Sequence, residues 1–112
     1  MRFISTKVHG IMDYTVGALL SASPLFLSSE FKTARKLLVT AGIGATIYSL
    51  FTDYELGAIR KLPMKTHLKL DVLSGLSLMA APFILDVQKE EKAILMLTGL
   101  VEVGAGLLSK TS

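Results

Sequence analysis

The chain reads as an all-α protein: a bundle of four transmembrane helices made from two tandem, parallel copies of one helical hairpin. Three observations predict this. Apolar residues fill 51% of the 112 positions, with a mean hydropathy of +0.55, more than a soluble core of this size can bury. Four apolar stretches of near-crossing length, roughly residues 8–27, 37–51, 68–85 and 93–108, alternate with loops that hold most of the charge. The second half of the chain also repeats the first at a fixed offset.

The first stretch follows a basic start and resembles the opening of a secretory signal. Asp13 interrupts its apolar run, however, and a similar segment returns in mid-chain, so it reads as a retained first crossing. The second and fourth stretches are short against a hydrocarbon core about 30 Å thick, and interfacial residues must complete them. A soluble four-helix bundle would need a charged face on every helix. No charged side chain occurs between Leu37 and Thr52, nor between Val72 and Leu85. Small residues recur at helix-packing spacing: Gly17 and Ser21, Ala41 and Ala45, Ser77 and Ala81, with Gly104, Ala105 and Gly106 in the fourth stretch. Pro24 and Pro82 fall near the far ends of the first and third stretches, where a helix stop or kink is tolerated.

The absence of cysteine excludes disulfides, thiolate metal sites and cysteine nucleophiles. The net charge of +3 is spread over all the loops, without the basic stripe that nucleic acid requires, and suits anionic lipid headgroups instead. Arg2, Lys7, Arg60, Lys61, Lys65, Lys69 and Lys110 fall on one side of the four crossings; Lys32, Arg35, Lys36, Lys89 and Lys92 fall on the other. The excess places both termini in the cytoplasm.

The repeat is gapless. HGIMDYTVGALLSASPLFL from His9 aligns with HLKLDVLSGLSLMAAPFIL from His67, so that His9 and His67, Asp13 and Asp71, Gly17 and Gly75, and Pro24 and Pro82 are each 58 apart by subtraction. Lys7 and Lys65, Thr40 and Thr98, and Leu50 and Leu108 keep that offset, giving one membrane domain over residues 1–112 with repeats at about 4–54 and 62–112. Because each copy crosses twice, the copies run parallel, related by an axis along the membrane normal. The His-x-x-x-Asp opening, the Ser23-Pro24 step and TDYELG at residues 52–57 resemble the SPW-repeat family of small bacterial membrane proteins over nearly the whole chain. The naming tryptophan is missing from both copies, which read SPL and APF. The resemblance implies a four-helix protein of the bacterial cytoplasmic membrane with no assigned activity.

Ionisable groups inside a membrane are functional candidates by default. Asp13, Asp71 and Glu102 lie within the apolar stretches, with His9 and His67 nearer the surface and Tyr48 within reach. Histidine and aspartate four apart share a helical face, and each pair can satisfy itself or turn to Lys7 or Lys65. Glu102 breaks the repeat, because its counterpart is Gly44. The leading expectation is a structural or partner-binding membrane module with a polar His/Asp/Glu cluster, set in the bilayer and partnered by a second copy or another membrane protein. A proton, cation or small-ligand transporter is the alternative. A second alternative is a haem or divalent metal on His9 and His67, although no cofactor is expected from the pattern itself. HExxH, Walker, GxGxxG, EF-hand and Gly-x-Ser-x-Gly patterns are absent, so no catalytic residue is assigned.

Overall fold

A computed structural model describes residues 1–112. Four helices follow in order: α1 (Thr6–Ser21), α2 (Lys32–Leu50), α3 (Met64–Ile84) and α4 (Lys89–Leu108), with a short 3-10 turn at Ser23–Leu25. The class is all-helical, with no strand.

Several helix ends are set by local residues. Ser5 caps α1, its hydroxyl accepting from the Val8 amide at 3.1 Å. Pro24, which has no amide hydrogen to offer, lies in the 3-10 turn that follows this helix. Its counterpart Pro82 stays inside the last turn of α3, and that helix stops at Ile84. The chain before α4 forms a capping box, with Glu91 accepting from the Gln88 amide at 3.1 Å.

α2 starts well before its apolar stretch, at Lys32, and α4 starts at Lys89. Both helices extend beyond their apolar stretches, because lysine and arginine in a first turn are helix-compatible and carry their charge away from the apolar body. Arg35 illustrates this, bonding the Pro24 carbonyl at 3.2 Å.

The helices pair as two hairpins, α1 with α2 and α3 with α4. Glycine sets the closest approach in both. A Cβ added to Gly75 would lie 2.5 Å from the Gly99 carbonyl oxygen, and one on Gly42 would lie 2.7 Å from the Ser21 amide nitrogen. Gly44 and Gly104 instead face open space.

Between the hairpins, Ala34, Leu38, Leu78 and Leu95 form a buried apolar cluster at the end away from the termini. A smaller cluster of Tyr54, Met64 and Leu68 is buried at the other end, while many large apolar side chains point outward: Leu73, Phe83 and Leu97 are 63%, 67% and 66% exposed. Only α3 is long and apolar enough to count as a membrane span by itself. Apart from Glu102, the charged residues of α2 and α4 gather near their N-terminal ends, and α1 has only 16 residues.

The two hairpins exchange their ends. Lys110 donates its amide to the Ile4 carbonyl at 2.8 Å, and Asp53 donates its own to the Leu62 carbonyl at 2.7 Å. Arg2 binds the Gly106 and Ser109 carbonyls at 2.9 and 2.8 Å, a cation at the C-terminus of α4. The α2–α3 connection folds back so that the Ala58 and Ile59 amides satisfy the last α2 carbonyl, at Leu50. These end contacts lie directly over the polar residues of α1 and α3.

Candidate functional site

Histidine and aspartate at i and i+4 project from one face of α1, and the second repeat does the same on α3. The two faces meet. His9 Nε2 lies 2.8 Å from Asp71 Oδ2 and 3.1 Å from Asp13 Oδ1. His67 Nε2 lies 3.0 Å from Asp13 Oδ2 and 3.3 Å from Asp71 Oδ2. In both cases the partner across the hairpins is nearer than the partner on the same helix. The four side chains thus form one tetrad, in which each same-helix pair expected from helix periodicity is joined by a shorter contact to the other hairpin. Lys7 and Lys65 make no ion pair with it.

Both imidazoles are fully buried. The folded-back connection and the C-terminal residues close over them. Thr52 Oγ1 lies 2.7 Å from His67 Nδ1, and Ser109 Oγ lies 2.6 Å from His9 Nδ1. Each hydroxyl comes from the end of the other repeat. The carboxylates are held in a parallel way, with the Tyr54 phenol donating to Asp13 at 2.7 Å and the Tyr48 phenol donating to Asp71. Tyr54 lies in the connection, and burial, with the nearby Asp13 carboxylate adding to it, holds its pKa above the usual phenol range. It therefore remains a donor.

The proton on His67 can be located from its neighbours. The Thr52 hydroxyl already donates to the Tyr48 carbonyl at 2.6 Å, so toward His67 it can only accept. His67 Nδ1 must then carry hydrogen. Its Nε2 is buried and makes no directional hydrogen bond, despite the two carboxylate oxygens close by.

Of the residues singled out from the sequence, five belong to this assembly: His9, Asp13, His67, Asp71 and Tyr48. Glu102 lies apart. It is 7% exposed and accepts from Ser74 at 3.2 Å, meeting the tetrad only across a cavity of about 30 Å³ that Asp13, Asp71 and Glu102 line. Ala45 lines that cavity too, whereas Gly44, the repeat counterpart of Glu102, faces outward.

Thr52, Tyr54 and Ser109 went unrecognised in the sequence because loop and terminal residues have no periodicity. Thr52 and Tyr54 do, however, fall in the TDYELG segment that carried the family resemblance.

The arrangement suits two kinds of chemistry. Two acids and two imidazoles can share protons, and their donor atoms, all within 4.8 Å of one another, could hold a metal ion. The imidazole centroids stand 5.2 Å apart with carboxylates between them, which leaves no space for a porphyrin.

A family model for the SPW repeat domain matches residues 7–109. No curated protein and no solved structure matches significantly. The match takes in both hairpins and all four members of the tetrad, and the chain belongs to the SPW-repeat family.

Proposed function

We propose that the protein is a four-crossing membrane module whose two hairpins are joined, near the surface that holds both termini, by the His9–Asp13–His67–Asp71 tetrad. The crosswise pairing carries this reading, since every tetrad contact between hairpins uses side chains that neither repeat could satisfy as well alone. In lipid such polar contacts hold helices in register where apolar packing discriminates little.

The outward-facing apolar side chains support the bilayer as surroundings. Only 23 of 112 residues are buried, so the helices offer far more apolar surface than they enclose. A helix of 20 residues spans about 30 Å, and α4, with its charged first turn at one surface, has that length. The family resemblance points the same way, to the bacterial cytoplasmic membrane.

The lack of cysteine provides a clean labelling background. Single cysteines at Lys61 and Lys110 should react from one side of sealed vesicles, and those at Lys32 and Lys89 from the other. Labelling of all four from one side, or recovery of the protein without membranes, would remove the reading.

A further inference from the structure

We propose that the tetrad is a structural binding site for one divalent transition ion of the Zn²⁺ type, held by His9 Nε2, His67 Nε2 and one oxygen each of Asp13 and Asp71. This deepens the reading of the tetrad as the joint between hairpins, and rests on it. The observation that points to a ligand is His67. The side chain is wholly buried, its Nδ1 hydrogen is committed to Thr52, and its Nε2 is directed among carboxylate oxygens without a directional hydrogen bond. A lone pair facing carboxylates is repelled unless a positive centre stands between them. His9 Nε2 makes a hydrogen-bond contact with Asp71, whereas His67 Nε2 lies 3.0 and 3.3 Å from Asp13 and Asp71 without hydrogen-bond alignment to either.

The spacing suits an ion. Donors bound to zinc at about 2.0–2.1 Å in a tetrahedron stand about 3.3 Å from each other. The four His–Asp contacts, made to both oxygens of Asp13 and to Asp71 Oδ2, measure 2.8, 3.0, 3.1 and 3.3 Å, and one donor atom from each residue lies within 4.8 Å of the others, so a modest readjustment of the side chains makes the set a ligand cage. Two carboxylates neutralise a divalent charge, as an enclosed site of low polarity requires. Two imidazoles and two carboxylates, with no sulfur, suit Zn²⁺ and its first-row neighbours better than Cu⁺. Four donors are too few for Ca²⁺ or Mg²⁺, which take six or more oxygens.

The surroundings match as well. Metal-bound histidine is oriented by a hydrogen bond at its other nitrogen, and bound carboxylates are themselves hydrogen-bonded. Here Ser109 and Thr52 hold the two Nδ1 atoms, while Tyr54 and Tyr48 hold the two carboxylates. All four primary positions are protein side chains, the pattern of a closed structural site rather than a catalytic one.

The test uses the full chain in lipid nanodiscs, stripped with chelator and titrated with ZnCl₂ against a chromophoric competitor. One ion per chain should bind, releasing protons as both Nε2 atoms become ligands. X-ray absorption should show two nitrogens and two oxygens at about 2.0 Å. His67→Asn should weaken binding at least about 100-fold. Thr52→Val, which keeps all four donors, should weaken it about 10- to 100-fold by releasing the imidazole. Absence of saturable uptake by the parent protein, or uptake unchanged in His67→Asn, would overturn the ion site. In that event, loss of stability on Asp71→Asn would still uphold the hairpin joint, and unchanged stability would remove the joint as well.

Discussion

The two ends of the bundle join the same pair of hairpins by different physics. Near the termini the contacts are directional and polar, and they respect the repeat: His9 to Asp71 has its counterpart in His67 to Asp13. At the far end Ala34, Leu38, Leu78 and Leu95 pack without such symmetry. Leu20 and Leu37, the repeat counterparts of Leu78 and Leu95, are only partly buried against them. Duplicated chains can drift where packing is forgiving, because any apolar side chain of suitable volume serves. Hydrogen-bonded ionisable groups permit less drift, since a misplaced carboxylate strands its partners. The difference assigns specificity of hairpin pairing to the polar end and bulk contact to the apolar end.

The largest expected effect lies at the polar end. Asp71 is 5% exposed and meets His9, His67 and Tyr48, so Asp71→Asn should cost about 3–5 kcal/mol of unfolding free energy in lipid. Leu95→Ala, at a fully buried site in the apolar cluster, should cost about 2 kcal/mol, the low end for such truncations, because lipid offers the exposed chain an equally apolar solvent. Reversible unfolding of both variants in bicelles measures the pair. A greater cost for Leu95→Ala would invert the comparison.

Glycine contacts test whether the hairpins are rigid units that the two joints connect. Gly99→Ala drives a methyl group into the Gly75 carbonyl, a backbone atom that cannot rotate aside, and should cost about 1–3 kcal/mol. Gly44→Ala adds its methyl to open space and should stabilise by about 0.4–1 kcal/mol, by restricting the unfolded chain. Equal effects at the two positions would mean that the α3–α4 approach is softer than its geometry.

The far end also holds a buried polar contact, and it shows where legibility in the sequence stopped. Glu91 is 3% exposed and accepts from the Ala34 amide at 2.8 Å, so a residue of α4 caps the first turn of α2. In the sequence it is one acid in the run Lys89-Glu90-Glu91-Lys92, indistinguishable from a solvated first turn. Glu91→Ala should cost about 1 kcal/mol, most of it recovered in Glu91→Gln, which still accepts. Thermal unfolding of the two variants decides this.

The four helices and the paired His and Asp were legible because periodicity and duplication mark residues that share a face. The crosswise pairing was not, because helical spacing fixes a residue's direction on its own helix and says nothing of which neighbour it meets. Thr52, Tyr54 and Ser109 were illegible for a related reason: they act from non-helical chain, whose direction no helical spacing fixes.

The smallest effect concerns the outer edge of the polar end, where the contrast between buried and exposed contacts is greatest. The Thr6 hydroxyl donates to Glu55 Oε1 at 2.8 Å, tying the start of α1 to the connection that supplies Tyr54. The Glu55 pKa is lowered from its ordinary 4.5, first by its own backbone amide and then by Thr6. A carboxyl with a depressed folded pKa adds stability above its unfolded value and loses that stability as pH falls through the folded one. The Thr6 contribution should therefore be present at neutral pH and vanish in acid, below the ordinary carboxyl range. In Thr6→Val an NMR titration should find the Glu55 pKa moved back up toward 4.5. Because Glu55 is fully exposed, the tie should also act independently of the tetrad, so Thr6→Val and Asp71→Asn should be additive in a double-mutant cycle. Coupling between them would show that this exposed strap helps to position the connection over the tetrad, extending the polar joint to the protein surface.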